Sequence, residues 1–349
     1  MAEIRIDLYS DTLTKPTQAM REFMCAAEVG DEQKKEDPSV NRLQDMVAKL
    51  LGKEAALFLP SGTMCNQIAL AVHCRAGDMV VVDRSAHPLT SEAGGAAVLA
   101  RATLIPLDGE KGQYTPDQML TFIDAPSRYT PPVAAVSVEQ TTNRPGGHIW
   151  PLEQMRGVCK VADEWGAKKH MDGARLLNAV VASGISAKDY ASTFDSVWTD
   201  LSKGLGAPVG GVLAGSEDFI AEAWQWKQRI GGAMRQAGII AAAGIYALEH
   251  NVERMAEDHA NAKRFAERIA DGEGIDIRPE EVETNIVRFD IAGLGVTSGD
   301  FADRLLEEEG VRLSTMGKTA MRAVAHLGIT EEDVDEAAEA IKRMAGKMA

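Results

Sequence analysis

The chain is poor in three things, and each shortage closes a class of function. Basic residues are outnumbered, with 37 Lys and Arg against 52 Asp and Glu and a net charge of -15. That balance argues against a nucleic-acid backbone or an anionic membrane as partner, while leaving small anionic ligands open. Long apolar runs are missing: none approaches the roughly 20 residues needed to span a bilayer. The opening Met1-Ala2-Glu3-Ile4-Arg5-Ile6-Asp7 is not a basic segment followed by an apolar one, so a cytoplasmic location is expected. Cysteine is sparse. Cys25, Cys65, Cys74 and Cys159 form no C-x-x-C pair and are too few for a disulfide framework in 349 residues, so buried free thiols without a catalytic role are expected.

Repeats, low-complexity tracts and long flexible linkers are also lacking, and 45% hydrophobic content is ample for a sizeable core. The length predicts about two domains, packed together. Asp37-Pro38 opens a helix whose apolar positions Val40, Leu43, Met46, Val47, Leu50 and Leu51 recur at helical spacing, with Gly52 as its end. Short β-rich runs then alternate with helical stretches: 55–59, 79–82, 100–107, 133–138, 168–171 and 196–201. Alternation of this kind predicts an α/β fold, with a mostly parallel central sheet and helices on both faces. A strand over 208–213 and one long helical region from Ile240 to about Ala270 follow. Later segments, 285–291 and 321–326, alternate like half-exposed strands, and Thr330 with Asp333 caps a terminal helix. The expected division is 1–254, an N-terminal segment and large domain, and 255–349, a smaller C-terminal α+β domain.

Two segments carry the chemistry: His170-Met171-Asp172-Gly173-Ala174-Arg175 and Asp200-Leu201-Ser202-Lys203-Gly204. Each puts a charged residue where a buried strand ends, and such ends are where α/β sheets keep ligands. An amine and a carboxylate around one cleft suit an imine between Lys203 and an aldehyde cofactor, with Asp172 keeping the cofactor's ring nitrogen protonated. That is the chemistry of pyridoxal 5'-phosphate. For an isolated Lys-Gly or Asp-Gly, a surface salt bridge beside a glycine turn is the ordinary alternative. Ser61, Gly62 and Thr63 lie between a strand and a helix start, where free amides form either an anion site or a plain cap. His87 follows the strand at 79–82, at the same sheet edge, as a ring to stack on a flat cofactor or as a loop histidine.

With these residues placed, the chain resembles the threonine aldolases of the β-eliminating lyase group, within the pyridoxal phosphate-dependent transferase-like enzymes of fold type I. The likeness rests on Asp7-Leu8-Tyr9-Ser10-Asp11-Thr12, Glu36-Asp37-Pro38-Ser39-Val40-Asn41, Leu59-Pro60-Ser61-Gly62-Thr63, His170 through Ala179, Leu201 through Val209 and Gly231 through Gln236. It implies that Lys203 holds the cofactor, Asp172 is the partner of its ring nitrogen, and His87 stacks on its face; His87 or an ordered water is then the candidate base. It implies Ser61, Gly62 and Thr63 at the phosphate, Arg175 beside the cofactor, and Ser10, Arg175 and Arg322 around the substrate's α-carboxylate. No metal ligands are assigned. The implied reaction is aldol cleavage of a β-hydroxy-α-amino acid to glycine and an aldehyde. The alternatives are β-elimination, racemisation or transamination on the same cofactor, and a cofactor-binding protein without turnover. The resemblance also implies a homodimer or homotetramer with sites at the subunit interface, and Gly231 through Gln236 is a candidate for the shared surface. Three departures from the family stand out: Tyr9 stands for arginine, Lys34-Lys35 for tyrosine-glycine, and Thr142 for the histidine near the substrate side chain. The last leaves the base and the preferred β-substituent open.

Overall fold

Asp37 and Pro38 open the helix Pro38–Leu51: the Asp37 carboxylate accepts the Val40 amide at 3.0 Å, and Gly52 closes the helix in the left-handed region. Proline at the first turn loses no hydrogen bond, and glycine takes positive φ without strain. The structure, a computed structural model, describes residues 3–124 and 127–348. None of its helices is long and apolar enough to cross a membrane.

A seven-stranded sheet runs in the order Ala55–Leu59, Gly211–Gly215, Ser196–Asp200, Lys168–Gly173, Val133–Glu139, Met79–Asp83, Thr103–Leu107. The five strands from Ser196–Asp200 to Thr103–Leu107 pair in parallel. Gly211–Gly215 and Ala55–Leu59 join antiparallel at one side. Successive side chains point to opposite faces and both faces are buried. Phe58, Val81, Val136, Met171, Val197 and Val212 pack with the helices Pro38–Leu51 and Leu152–Trp165. Leu57, Leu59, Trp198 and Leu213 pack instead with the helices Gly62–His73 and Glu217–Arg229. This is the doubly covered, mostly parallel sheet that the near-continuous apolar strands predict.

A second core forms around the three-stranded antiparallel sheet of Ile286–Asp290, Ala320–Val324 and Ser314–Thr315, covered by Met255–Ile269, Ser298–Glu309 and Glu331–Met348. The strand Ile6–Asp7 pairs with Val311–Arg312, and Ile6 and Leu8 sit in this core. The opening residues, assigned above to the larger unit, therefore pack with the smaller one.

Three expected elements differ in extent. The run 100–107 splits into a helical turn at Ala96–Ala100, a positive-φ residue at Arg101, and the strand Thr103–Leu107. The strand after Lys203 starts only at Gly211, beyond Gly210 at φ +114. The single helix expected through Ala270 is two, Gly238–His250 and Met255–Ile269. Asn251, at the break, donates its side-chain amide to the Leu205 carbonyl at 2.7 Å, so the interruption anchors the loop that carries Lys203. Thr330 and Asp333 do cap the last helix reciprocally, at 2.9 and 3.1 Å.

Candidate active site

The parallel strands end on one edge, and a cavity of about 230 Å³ opens there. Asp172 lies near the end of Lys168–Gly173, between Glu139 and Trp198 in register on the neighbouring strands. Lys203 follows the adjacent strand, and His87 follows Met79–Asp83. Asp172, Lys203, His87, Ser10, Arg175 and Arg322 all line this cavity, together with Gly62 and Thr63. Ser61 does not. Its hydroxyl accepts the Met64 amide at 3.2 Å as the helix cap, which leaves Gly62 and Thr63 to present the unpartnered first amides of that helix. Gly62 is glycine for a packing reason that the sequence does not display: a Cβ there would meet the Trp198 ring at 2.1 Å.

The Lys203 side chain is 18% exposed, and its Nζ donates to Asp200 Oδ2 at 3.0 Å. Asp172 is buried, and each oxygen has a donor: the Ala174 amide at 3.0 Å on Oδ1 and Asn66 Nδ2 at 2.7 Å on Oδ2. His87 Nδ1 pairs with buried Glu92 at 2.8 Å, leaving Nε2 uncommitted. Burial pulls the imidazole pKa down, but the Glu92 hydrogen bond and the charges of Asp172, Glu92 and Glu139 outweigh it, so the ring is held above its ordinary value. Glu139 accepts the backbone amides of His87 and Asn143, both at 2.8 Å. Burial, with Asp172 beside it, pushes its carboxyl up to about 7.

The two arginines differ. Arg175 is buried and gives Nε and Nη2 to Asp11, both at 2.7 Å. Burial disfavours the Asp11 charge, yet Arg175 holds that carboxyl well below its usual range. Arg322 touches only neutral acceptors: Asn143 Oδ1 at 2.7 Å, Ser314 Oγ at 3.1 Å and the Tyr9 carbonyl at 3.4 Å. Among the described residues no carboxylate pairs with it, and burial together with the Arg175 charge lowers its pKa. A guanidinium so placed has the planar fork that suits a carboxylate.

Thr142 is buried outside the lining, its backbone paired with His148. Tyr9 is exposed, and the Arg312 guanidinium lies over its ring, 5.3 Å from the centroid. Lys35 takes the left-handed conformation, φ 58 and ψ 29, at a position where the family carries glycine. Met234 and Arg235 bind Gln33 and Asp31 of the same chain. His87, Glu92 and Asp172 also bring ligand atoms within 4.8 Å of one another, but the Glu92 and Asp172 oxygens already accept N–H groups from Asn66. Asn66, Glu92, Glu139 and Asp11 escaped sequence reasoning. The available signal was a lone asparagine on the apolar face that carries Cys65, Ile68 and Ala69.

Residues 7–292 match the family model described as beta-eliminating lyase. The chain belongs to the β-eliminating lyase family. It is 40% identical over 334 residues to the low specificity L-threonine aldolase of Escherichia coli K12, covering 95% of this chain and 97% of that one. It is 38% identical over 333 residues to low-specificity L-threonine aldolase 1 of Arabidopsis thaliana, covering 94% and 93%. Among solved structures, Leishmania major threonine aldolase superposes with a TM-score of 0.81 over 97% of this chain and 99% of that one, at 16% identity, which establishes a shared fold. The fold built here is thus shared with that neighbour.

Proposed function

We propose that the chain is a pyridoxal phosphate-dependent aldolase that cleaves a β-hydroxy-α-amino acid of the L-threonine or L-allo-threonine type to glycine and an aldehyde. The observation that carries this is one cavity lined by an amine, a fully hydrogen-bonded carboxylate and an unpaired guanidinium: Lys203, Asp172 and Arg322. The donor set fits the cofactor. Lys203 would hold it covalently, Asp172 would meet its ring nitrogen, His87 would lie against its face, and the Gly62 and Thr63 amides would take its phosphate. When bound, it supplies an electron sink for a bond at the substrate's Cα.

The chain's own residues decide which bond that is. Arg322 binds the α-carboxylate and so fixes how the substrate's Cα sits in the cavity. Arg175, with Nε and Nη2 committed to Asp11, holds the opening segment and its Ser10 at the same wall. Cleavage breaks Cα–Cβ, moves the β-hydroxyl proton to a base and turns the β-carbon into a carbonyl. His87 is that base: Nδ1–H is tied to Glu92, which leaves the Nε2 lone pair to accept a proton. Thr142 turns its hydroxyl toward the His148 carbonyl at 3.5 Å and takes no proton.

The test is release of glycine and aldehyde from L-threonine, L-allo-threonine and L-phenylserine by cofactor-loaded protein beside Lys203→Ala. The expected outcome is turnover that is lost in the variant. Pyruvate and ammonia in place of glycine would assign β-elimination instead. By family resemblance the enzyme is a cytoplasmic dimer or tetramer with sites shared between subunits, which its mass in solution tests.

A further inference from the structure

One buried amide ties together two side chains that face the cofactor cavity. Asn66, on the helix Gly62–His73, is fully buried and makes four hydrogen bonds, the full capacity of a primary amide. Its Oδ1 accepts from Trp198 Nε1 at 2.7 Å and from His170 Nε2 at 3.0 Å. Its Nδ2 donates to Asp172 Oδ2 and to Glu92 Oε1, both at 2.7 Å.

The direction of this amide is fixed. An indole N–H can only donate, so the atom facing Trp198 is the oxygen, and the amino group must face the two carboxylates. The same constraint runs outward along a chain of side chains. With Oδ1 as acceptor, His170 carries its proton on Nε2, and its Nδ1 accepts from Ser196 Oγ at 2.8 Å. Ser196 in turn accepts from His73 Nε2 at 2.7 Å. Burial keeps both imidazoles neutral as this order requires, lowering His170 to about 3 and His73 to about 4. Every link is a donor pointing toward Asp172.

These donors matter because three buried carboxylates, Asp172, Glu92 and Glu139, crowd around His87. An amide that donates to two of them at once keeps these like charges in fixed places. We propose that Asn66 is the positioning residue of this site: held one way round by Trp198 and His170, it fixes the Asp172 carboxylate where it would meet the cofactor's ring nitrogen. The same amide holds Glu92 against His87. This inference rests on the pyridoxal phosphate assignment above.

Asn66→Asp tests it. The variant keeps the side chain's shape and its acceptor contacts with Trp198 and His170, but replaces the two N–H donors with an oxygen facing two carboxylates. In titrations with pyridoxal phosphate we expect the dissociation constant to rise on the order of 10–100-fold. In the loaded enzyme the pH profile of kcat is expected to shift, while KM for L-threonine stays within about twofold. Cofactor affinity and pH profile equal to those of the unsubstituted chain would overturn the inference.

Thermal unfolding of the cofactor-free proteins separates loss of fold from loss of positioning. Should Asn66→Asp fail to fold, a second pair decides. His170→Phe removes the donor to Oδ1 and is expected to weaken cofactor binding about tenfold, whereas His170→Gln, which can donate there, restores it. Equal affinity in the two His170 variants would overturn the inference. If the unsubstituted chain binds no pyridoxal phosphate, the proposed function itself fails; if it binds and the variants match it, only the role of Asn66 fails.

Discussion

The two ends of the cavity are built on opposite principles. At the ring end Asp172 has a donor on each oxygen, and Asn66 and His170 use both faces of their polar groups. At the carboxylate end Arg322 is held only by neutral oxygens. The ring end stabilises a fixed arrangement of charge, and a fully satisfied network is rigid. The carboxylate end keeps a cation in waiting, which lowers the protein's own stability and favours an incoming anion. Arg175 and Arg322 make the contrast sharp, since both face the same cavity and only one is neutralised.

The largest expected effect separates those two arginines. Arg175→Ala strands Asp11 as an unpaired buried carboxylate and should cost about 3–5 kcal/mol of stability, measured by denaturant unfolding of the cofactor-free protein. Arg322→Ala should leave stability within about 1 kcal/mol but lower kcat/KM by about 10–100-fold through loss of a charge-assisted contact. Steady-state kinetics on L-threonine read this directly. A large stability loss at Arg322, or none at Arg175, would erase the distinction.

A smaller effect tests the neutrality of the ring-end wall. His170 and His73 are depressed by burial from 6.5 to about 3 and about 4. Their contribution to stability is therefore fully present above pH 6.5 and is lost as pH falls through that value toward the folded values. In this window the unfolded chain binds protons that the folded chain refuses, at about 1.4 kcal/mol per pH unit for each imidazole. His259 is lowered to about 4 in the same way, so His170→Gln should reduce the slope of unfolding free energy against pH between 4 and 6.5 by one imidazole's share, about 1.4 kcal/mol per pH unit. An unchanged slope would mean that His170 is charged in the fold and donates from both nitrogens, which would reverse its link to Ser196 while leaving its bond to Asn66.

Sequence made one end of the cavity more visible than the other. Asp172 and Lys203 were legible because each closes an apolar strand, and strand ends place ligands by the geometry of the sheet. His87 was legible for the same reason. The helix cap at Asp37 and the glycine at Gly52 were readable as local chemistry. Asn66 was not, since its partners Glu92, Asp172 and Trp198 lie 26, 106 and 132 residues away and a lone asparagine in an apolar helix has no periodic signature. The pairing of Arg175 with Asp11 was hidden for the same reason, since the two lie 164 residues apart. The break at Asn251 was hidden likewise, because a contact with Leu205 and not a local breaker ends that helix.

The smallest expected effect concerns the hydroxyls that the sequence treated alike. Ser61 Oγ caps its helix, lies outside the cavity lining and accepts the Met64 amide. Ser61→Ala should cost about 1 kcal/mol of stability and change pyridoxal phosphate affinity little. Thr63 lines the cavity, and among the described residues its hydroxyl makes no hydrogen bond within the chain. Thr63→Ala should therefore leave unfolding nearly unchanged and weaken phosphate binding by the worth of one hydrogen bond to a charged group, about 1.5–3 kcal/mol or roughly 10–100-fold. Paired unfolding and cofactor titrations on the two variants read both effects. If Ser61→Ala were the one to lose cofactor, the phosphate would sit against the cap and not in the cavity, and the division between fold-holding and ligand-holding groups would shift by one turn of helix.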